Sequence, residues 1–357
     1  MDQTEVLLQE LTDAYGVSGY EGDARDVMAR YMKKLTTLEY DHLGSLIGTK
    51  KGTAESPRVA LVGHMDEIGF MVKEITKEGY IKFLPLGGWW GHVALGQRVQ
   101  IMTDSGPVVG VIGSTPPHLL KAKEREKVLE IDDMFIDVGV MENYDITKKL
   151  GVKVGDPIIP DSKFTIMNHN KMYLAKAFDN RVACAMVIEV LKNFQKTKHP
   201  NTILGIGTVQ EEVGLRGART AAFQSEPDVA IILDVSVARD IPPENFDRAE
   251  KFGGGPGILV YDGSMIPNQR LRKLAIKTAE ENKITFHLTA LQRGGTDGGA
   301  FHIARTGVPS IFICIETRYI HSHNSIIYRK DYDNVVKLAT ALAKKLDKKT
   351  VESLTKV

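Results

Sequence analysis

The sequence predicts an α/β protein: a mixed central sheet with helices on both faces, interrupted by a small all-β domain. Three observations carry this. Apolar, β-branched runs at Arg58–Gly63, Thr202–Gly207, Val229–Leu233 and Val308–Cys314 read as buried strands. Amphipathic helical stretches separate them. From Glu67 to about Asp161 the texture changes to short alternating runs divided by turn clusters, which read as a barrel or sandwich. With 357 residues the chain is long enough for two domains. The expected division is an α/β domain of residues 1–66 and 162–357, with residues 67–161 inserted as a β-barrel-like domain.

The elements follow in order. Thr4–Ala14 carries Val6, Leu7 and Leu11 at helical spacing, with Thr4 as an N-cap. After the turn Gly16–Tyr20, Glu21–Leu35 is a second amphipathic helix with Val27, Met28, Tyr31 and Met32 on one face. Thr37–Tyr40 and Ser45–Thr49 are short strands. Arg58–Gly63 is a buried strand running into His64-Met65-Asp66.

In the inserted segment the strands are Gly69–Lys73, Tyr80–Phe83, Arg98–Met102, Val108–Ile112, Met134–Val138 and Pro157–Ile159. Lys121–Lys127 reads as a charged, solvated loop. Beyond it, Tyr173–Lys176 is a short strand, and Asp179 opens a helix running through Phe194. Thr202–Gly207 leads into Thr208–Gly214, and Leu215–Ala222 starts a helix. Asp234 closes the strand Val229–Leu233. Gly253–Gly257 lacks the spacing of a phosphate loop. Asn268–Asn282 is a helix with Leu271, Leu274, Ala275 and Ala279 inward. The glycine-rich loop Gly294–Gly299 precedes a helical Ala300–Arg305. Val308–Cys314 runs into Glu316–His323, and Asp333–Asp347 is a final amphipathic helix.

Composition narrows the function. The 46 basic and 45 acidic residues leave no global field for nucleic acid or an anionic membrane. Residues Met1–Glu5 lack the pattern of a signal peptide, and no apolar run approaches the ~20 residues of a membrane span. Cys184 and Cys314 stand in apolar surroundings and read as buried reduced thiols. A cytoplasmic location is expected.

Chemistry concentrates at strand ends. His64 and Asp66 are two apart, a spacing at which a carboxylate can orient a metal-ligating imidazole. Glu211 and Glu212 stand where a central strand stops, the edge at which open α/β sheets bind ligands. Asp234 and His321 follow two further strands. Each has a plain explanation alone: an acidic turn for Glu211-Glu212, a helix cap for Asp179, chance for His64-x-Asp66. Together they put two histidines and several carboxylates on one sheet edge. Such donors suit zinc, cobalt or manganese. Five ligands exceed the three of a catalytic zinc and fit two ions ~3.5–4 Å apart under a bridging carboxylate. One carboxylate is then left over as general base.

The motifs Gly16–Glu21, Gly63–Gly69, Leu95–Val99, Ala177–Arg181, Gln210–Gly214, Gly294–Asp297 and Thr317–Ser322 run nearly end to end. Through them the chain resembles the cytoplasmic two-metal aminopeptidases that include glutamyl and deblocking aminopeptidases and assemble as tetrahedral dodecamers. Some of these carry an older designation as cellulase or endoglucanase. The resemblance implies a zinc-peptidase-like central sheet. It implies Asp179 as the bridging ligand, His64 and Asp234 on one metal, and Glu212 and His321 on the other. It implies Glu211 as general base and Asp66 as orienter of His64. It also implies peptide substrates, a bridging water activated by two divalent metals, and a barrel domain that drives dimerisation and shapes the entrance. His323 is a departure, standing after Ser322 where many relatives carry proline; the Tyr319–Ser322 match favours His321. The sequence assigns no role to Glu316.

Three other readings compete. A two-metal deacylase or amidase acting on small N-acyl substrates would use the same ligands. A glycoside hydrolase would need carboxyls ~5–9.5 Å apart and would leave His64 and His321 idle. A metal-stabilised assembly protein would have no use for a spare Glu211.

Overall fold

The structure, a computed structural model, describes residues 1–355 except 170, 196, 243–247 and 293. Its central sheet begins with β1 (Thr37–Tyr40), β2 (Leu46–Lys50) and β3 (Arg58–His64). The chain then leaves for β4 (Gly69–Ile75), β5 (Ile81–Leu86), β6 (Arg98–Thr103), β7 (Gly106–Gly113), β8 (Phe135–Asp137) and β9 (Pro157–Pro160). It returns through β10 (Thr165–Ile166), β11 (Met172–Ala175), β12 (Thr202–Thr208) and β13 (Val229–Val237). The last strands are β14 (Gly257–Tyr261), β15 (His287–Ala290), β16 (Ser310–Thr317) and β17 (Ser325–Tyr328).

Eight of these form the central sheet in the order β1-β2-β12-β3-β13-β16-β14-β15. The inner strands β12, β3, β13 and β16 are parallel, while β2 and β14 pair antiparallel to the core, so the sheet is mixed. The residues of β3 alternate between two apolar layers. Val59 and Leu61 face a cluster containing Leu7, Met28, Val187, Leu271 and Leu338; Ala60 and Val62 face one containing Ala218, Ala222 and Phe301. Helices cover both faces, which is why these strands read as continuous apolar runs. The helix Phe178–Asn193 lies so close to β3 that a Cβ on Gly63 would stand 2.8 Å from the Ala183 Cβ. Closeness here brings the start of that helix to the end of β3.

The strands β4 to β9 close into a barrel in the order β4-β5-β8-β7-β6-β9, around Phe70, Val72, Phe83, Ile101, Ile112 and Ile158. Closure removes the exposed edges that short strands would otherwise offer. The predicted strand positions hold throughout the barrel. The charged stretch Lys121–Lys127 contains a short helix, Ala122–Arg125.

Several boundaries differ from the sequence reading. Asp2, not Thr4, caps the first helix, Gln3–Asp13: its side chain accepts from the Glu5 amide while Glu5 reaches back to the Asp2 amide. That reciprocal pair outcompetes a threonine inside the first turn. The second helix spans Gly22–Met32. Four strands, β10, β14, β15 and β17, escaped prediction because they are short and owe their pairing to distant partners. Cys184 and Cys314 are buried free thiols. Among the described residues no helix is long and apolar enough to cross a membrane.

Candidate metal centre

The carboxyl ends of β3, β12, β13 and β16 meet at one point on the sheet edge. His64 is the last residue of β3 and is 1% exposed. Its Nδ1 lies 3.1 Å from the Asp66 carbonyl and 3.5 Å from Asp66 Oδ1. Its Nε2 lies 3.2 Å from Asp179 Oδ1, 3.8 Å from Glu211 Oε2 and 3.9 Å from Asp234 Oδ1. The other oxygen of Asp179, Oδ2, is 3.3 Å from His321 Nε2, which is also 3.8 Å from Glu212 Oε2. One carboxylate therefore faces two imidazoles, one through each oxygen. Two compact donor groups share it, His64–Asp179–Asp234 and Asp179–Glu212–His321, each with its ligand atoms within 4.8 Å of one another.

Two local details differ from expectation. Asp179 caps nothing: its φ of −81° and ψ of 105° are non-helical, and the regular helix begins after Asn180. A capping aspartate would spend its oxygens on its own helix; this one turns both toward histidines. Asp234 does not close β13, which continues three residues to Val237. Pairing with β16 through Val237↔Thr317 carries the strand past the aspartate.

The second histidine comes from the loop after β16, with φ 56°. His321 Nδ1 lies 2.6 Å from the Gly88 carbonyl, so the barrel's 87–91 loop orients a ring that the α/β domain supplies. His323 goes elsewhere. It is buried edge-on against Trp89, at 5.3 Å between ring centres, and burial pushes its pKa down to about 4. Among the described residues it is part of no cluster of candidate ligand atoms.

Asp66 joins the pieces. Its Oδ1 accepts from the Glu211 amide at 2.9 Å, and its Oδ2 from the Glu212 amide at 3.1 Å and from Ser18 Oγ at 2.6 Å. The residue that faces His64 thus also anchors the loop bearing both glutamates.

The charge balance is uneven. Burial, with Asp297, Asp234 and Glu212 nearby, pushes the Glu211 carboxyl well above the usual range despite His64. Burial and Asp179 push Glu212 up to about 8. Burial and Asp179 likewise raise Asp234. Asp179 goes the other way, because its bonds to His321 and His64 outweigh burial and hold it below the carboxylate range. His321 rises to about 10, since its bond to Asp179 outweighs burial. Too many carboxylates crowd too few cations.

Sequence reasoning missed several members. Asp297 is 1% exposed, takes a hydrogen bond from Thr208 Oγ1, and is pushed up to about 6 by burial and by Asp66. The Gly294–Asp297 motif was its only signal. Glu67 lies beside the centre, paired with Lys176 Nζ at 2.6 Å and Arg181 Nη2 at 3.1 Å. Glu316, by contrast, is fully buried in β16, with Oε1 2.9 Å from His287 Nε2, and belongs neither to the two donor groups that share Asp179 nor to a third formed by His64, Glu211 and Glu212.

Comparison with known proteins identifies the family. Residues 44–338 match the M42 glutamyl aminopeptidase family. A putative aminopeptidase, FrvX, of Escherichia coli is 39% identical over 93% of this chain and 92% of its own. The glutamyl aminopeptidase of Lactococcus lactis is 35% identical over 91% of both chains. The lysyl aminopeptidase of Pyrococcus furiosus is 33% identical over 95% of this chain and 96% of its own.

Among solved structures, a TET aminopeptidase from a marine sediment thaumarchaeote superposes with a TM-score of 0.96 at 43% identity, over 99% and 100% of the two chains. The Pyrococcus horikoshii TET1 peptidase, which can assemble into a tetrahedron or a large octahedral shell, gives 0.85 at 30% identity over 96% and 100%. A Thermotoga maritima protein named as an endoglucanase gives 0.78 at 32% identity over 98% and 99%. A mixed sheet with a barrel inserted after β3, and matches spanning nearly the whole chain, lead to one conclusion: the protein belongs to the M42 glutamyl aminopeptidase family of peptide hydrolases.

Proposed function

We propose that the protein is a two-metal aminopeptidase that removes N-terminal residues from peptides, with Glu211 as general base. The observation that carries this is Asp179, whose two oxygens face His64 and His321 separately. The donor set fits divalent ions. It is all imidazole and carboxylate, the chemistry of zinc, cobalt and manganese sites. Glu212 Oε1 is buried without a hydrogen-bond partner, and the raised carboxyl pKa values mark a cluster short of positive charge.

His64, Asp179 and Asp234 would hold one ion, and Asp179, Glu212 and His321 the other. Bound there, the two ions supply Lewis acidity toward water and the scissile carbonyl. The chain's own residues do the rest. Asp66 fixes the His64 ring and, through two amides, the spacing of Glu211 from Glu212. Glu211 Oε2 takes a proton from the attacking water and delivers it to the departing amine. The remaining carboxylates suit a free α-ammonium, which distinguishes an aminopeptidase from an endopeptidase. The barrel contributes through the Gly88 carbonyl at His321. Following the tetrahedral and octahedral assembly of the Pyrococcus horikoshii relative, we expect dimers joined into a dodecamer, with residues 67–161 supplying the dimer contact.

One experiment tests the function. Protein stripped by exhaustive chelation, verified by elemental analysis, is assayed with Zn²⁺, Co²⁺ or Mn²⁺ on aminoacyl-anilides, N-acyl amino acids and carboxymethylcellulose. Metal-restored cleavage of free-amino anilides is expected. Full peptidase activity in verified metal-free protein would sink the two-metal reading. Preference for N-acyl amino acids would make it a deacylase, and cleavage of the polysaccharide alone a glycoside hydrolase.

A further inference from the structure

The Gly16–Glu21 turn, one of the shared motifs, has no part in the chemistry above, yet its residues reach the base loop from behind. Glu21 Oε1 accepts from the Gly19 amide at 2.7 Å and from the Gln210 amide at 3.0 Å. Asp66 takes the next two amides, of Glu211 and Glu212, and is itself held by Ser18 Oγ. Three successive N–H groups, 210 to 212, thus end on two buried carboxylates. The turn is tied down in turn: the Glu67 amide donates to the Gly16 carbonyl at 3.0 Å, and Arg181 Nη2 donates to it at 2.9 Å.

The loop needs such bracing. Gln210 has φ 54°, in the left-handed region that is unfavourable for a non-glycine residue. Local sequence gives a glutamine no reason to stay there. Glu21 is 5% exposed and precedes the helix Gly22–Met32 at the N-cap position, but makes no side-chain cap. Its side chain turns away from its own helix and toward a loop 189 residues downstream. Burying a carboxylate beside Asp66 is unfavourable, and two backbone hydrogen bonds oppose that cost.

We infer that Glu21 is a positioning residue: by accepting the Gln210 amide it holds the strained entry of the loop and so sets where Glu211 and Glu212 point. The inference rests on Glu211 being the base and Glu212 a metal ligand.

The test compares Glu21→Ala, Glu21→Gln and Glu211→Gln in the metal-loaded, assembled enzyme. Glutamine keeps an oxygen able to accept both amides; alanine keeps none. Glu21→Ala is expected to lower kcat by ~10–100-fold and to loosen the weaker metal by a similar factor, the usual cost of losing an outer-shell partner. Metal affinity is read by chelator competition and by the Co²⁺ absorption band. KM on an aminoacyl-anilide stays within about twofold, because substrate contacts are untouched. Glu21→Gln restores both quantities to within about threefold of wild type.

A folded Glu21→Ala with wild-type kcat and metal affinity overturns the inference. So do equal losses in the alanine and glutamine variants, which would mean that charge and not hydrogen bonding matters. Should Glu21→Ala fail to fold, Glu21→Asp, one methylene too short to reach, takes its place under the same criteria. If Glu211→Gln keeps full activity, the base assignment fails instead, and metal affinity in Glu21→Ala then decides whether Glu21 positions Glu212.

Discussion

Consecutive residues, Asp66 and Glu67, belong to two buried charge clusters of opposite design. On the Asp66 side, Asp66, Asp179, Glu211, Glu212, Asp234 and Asp297 gather around His64 and His321. On the Glu67 side, one carboxylate meets two cations. Lys176 Nζ binds Glu67 and the Ala14 carbonyl, and Arg181 spreads its donors over Glu67 and the carbonyls of Met65, Leu11, Ala14 and Gly16. In the second cluster the cations outnumber the carboxylate: burial and Arg181 push Lys176 down to about 8 against the pull of Glu67, and although Glu67 Oε2 has no hydrogen-bond partner, Lys176 and Arg181 find theirs within the chain. The first sets six carboxylates against two imidazoles and leaves Glu212 Oε1 and Asp297 Oδ1 unpartnered. The comparison teaches that buried charge in this fold serves two ends. Where the protein supplies both signs, the cluster ties the N-terminal segment to the end of β3 and to the helix Phe178–Asn193. Where it supplies mostly one sign, the cluster has the charge that the proposed metal ions would balance.

The sharpest way to break this contrast is Glu211→Gln, which keeps shape and removes basicity. It should cost ~10²–10⁴-fold in kcat while both metals, the oligomer and binding of a peptide analogue persist. Loss of metal in this variant, with metal retained in Glu212→Gln, would swap the two roles.

Next in size is Glu67→Gln, which leaves two buried cations without their carboxylate. Breaking one side of a buried pair typically costs ~3–5 kcal/mol. Denaturant or thermal unfolding should show that loss, while the stabilisation conferred by added Zn²⁺ stays as in wild type. If Glu67→Gln abolishes the metal-dependent stabilisation instead, the clusters are not separate.

The histidines provide a third contrast. His321→Ala should weaken one metal by at least the ~10–100-fold typical of outer-shell losses, since it removes a direct ligand. His323→Ala, cutting a ring that packs on Trp89, should leave both affinities unchanged. The reverse result in a metal titration would overturn the ligand assignment.

The smallest effect on activity is expected from assembly. Light scattering should give a dodecamer, or a dimer when metal is limiting; a monomer under every metal condition would refute the assigned role of residues 67–161.

Much of the molecule was legible in the chain alone. Apolar runs located the inner strands of the sheet, because a strand buried on both faces leaves a local trace in residue type, and alternation located the barrel strands, which bury one face only. The candidate site was legible for a similar reason: His64, Glu211, Glu212, Asp234 and His321 follow such runs within a few residues, and imidazole and carboxylate are the side chains from which metal sites are built. Tertiary structure alone decided which of these donors meet and what supports them. Asp179 proved a bridge between two rings and not a cap. His321 was oriented by Gly88, which lies 233 residues away, while His323 turned to Trp89. Glu21 and Asp297 joined the surroundings of the centre, and Glu67, Lys176 and Arg181 met in a separate network, through bonds spanning scores of residues. Periodicity reports only on a residue's immediate neighbours, so it determines elements and their faces. Which loops converge at the sheet edge depends on strand order and on the packing of the helices, and these exist only once the chain has folded.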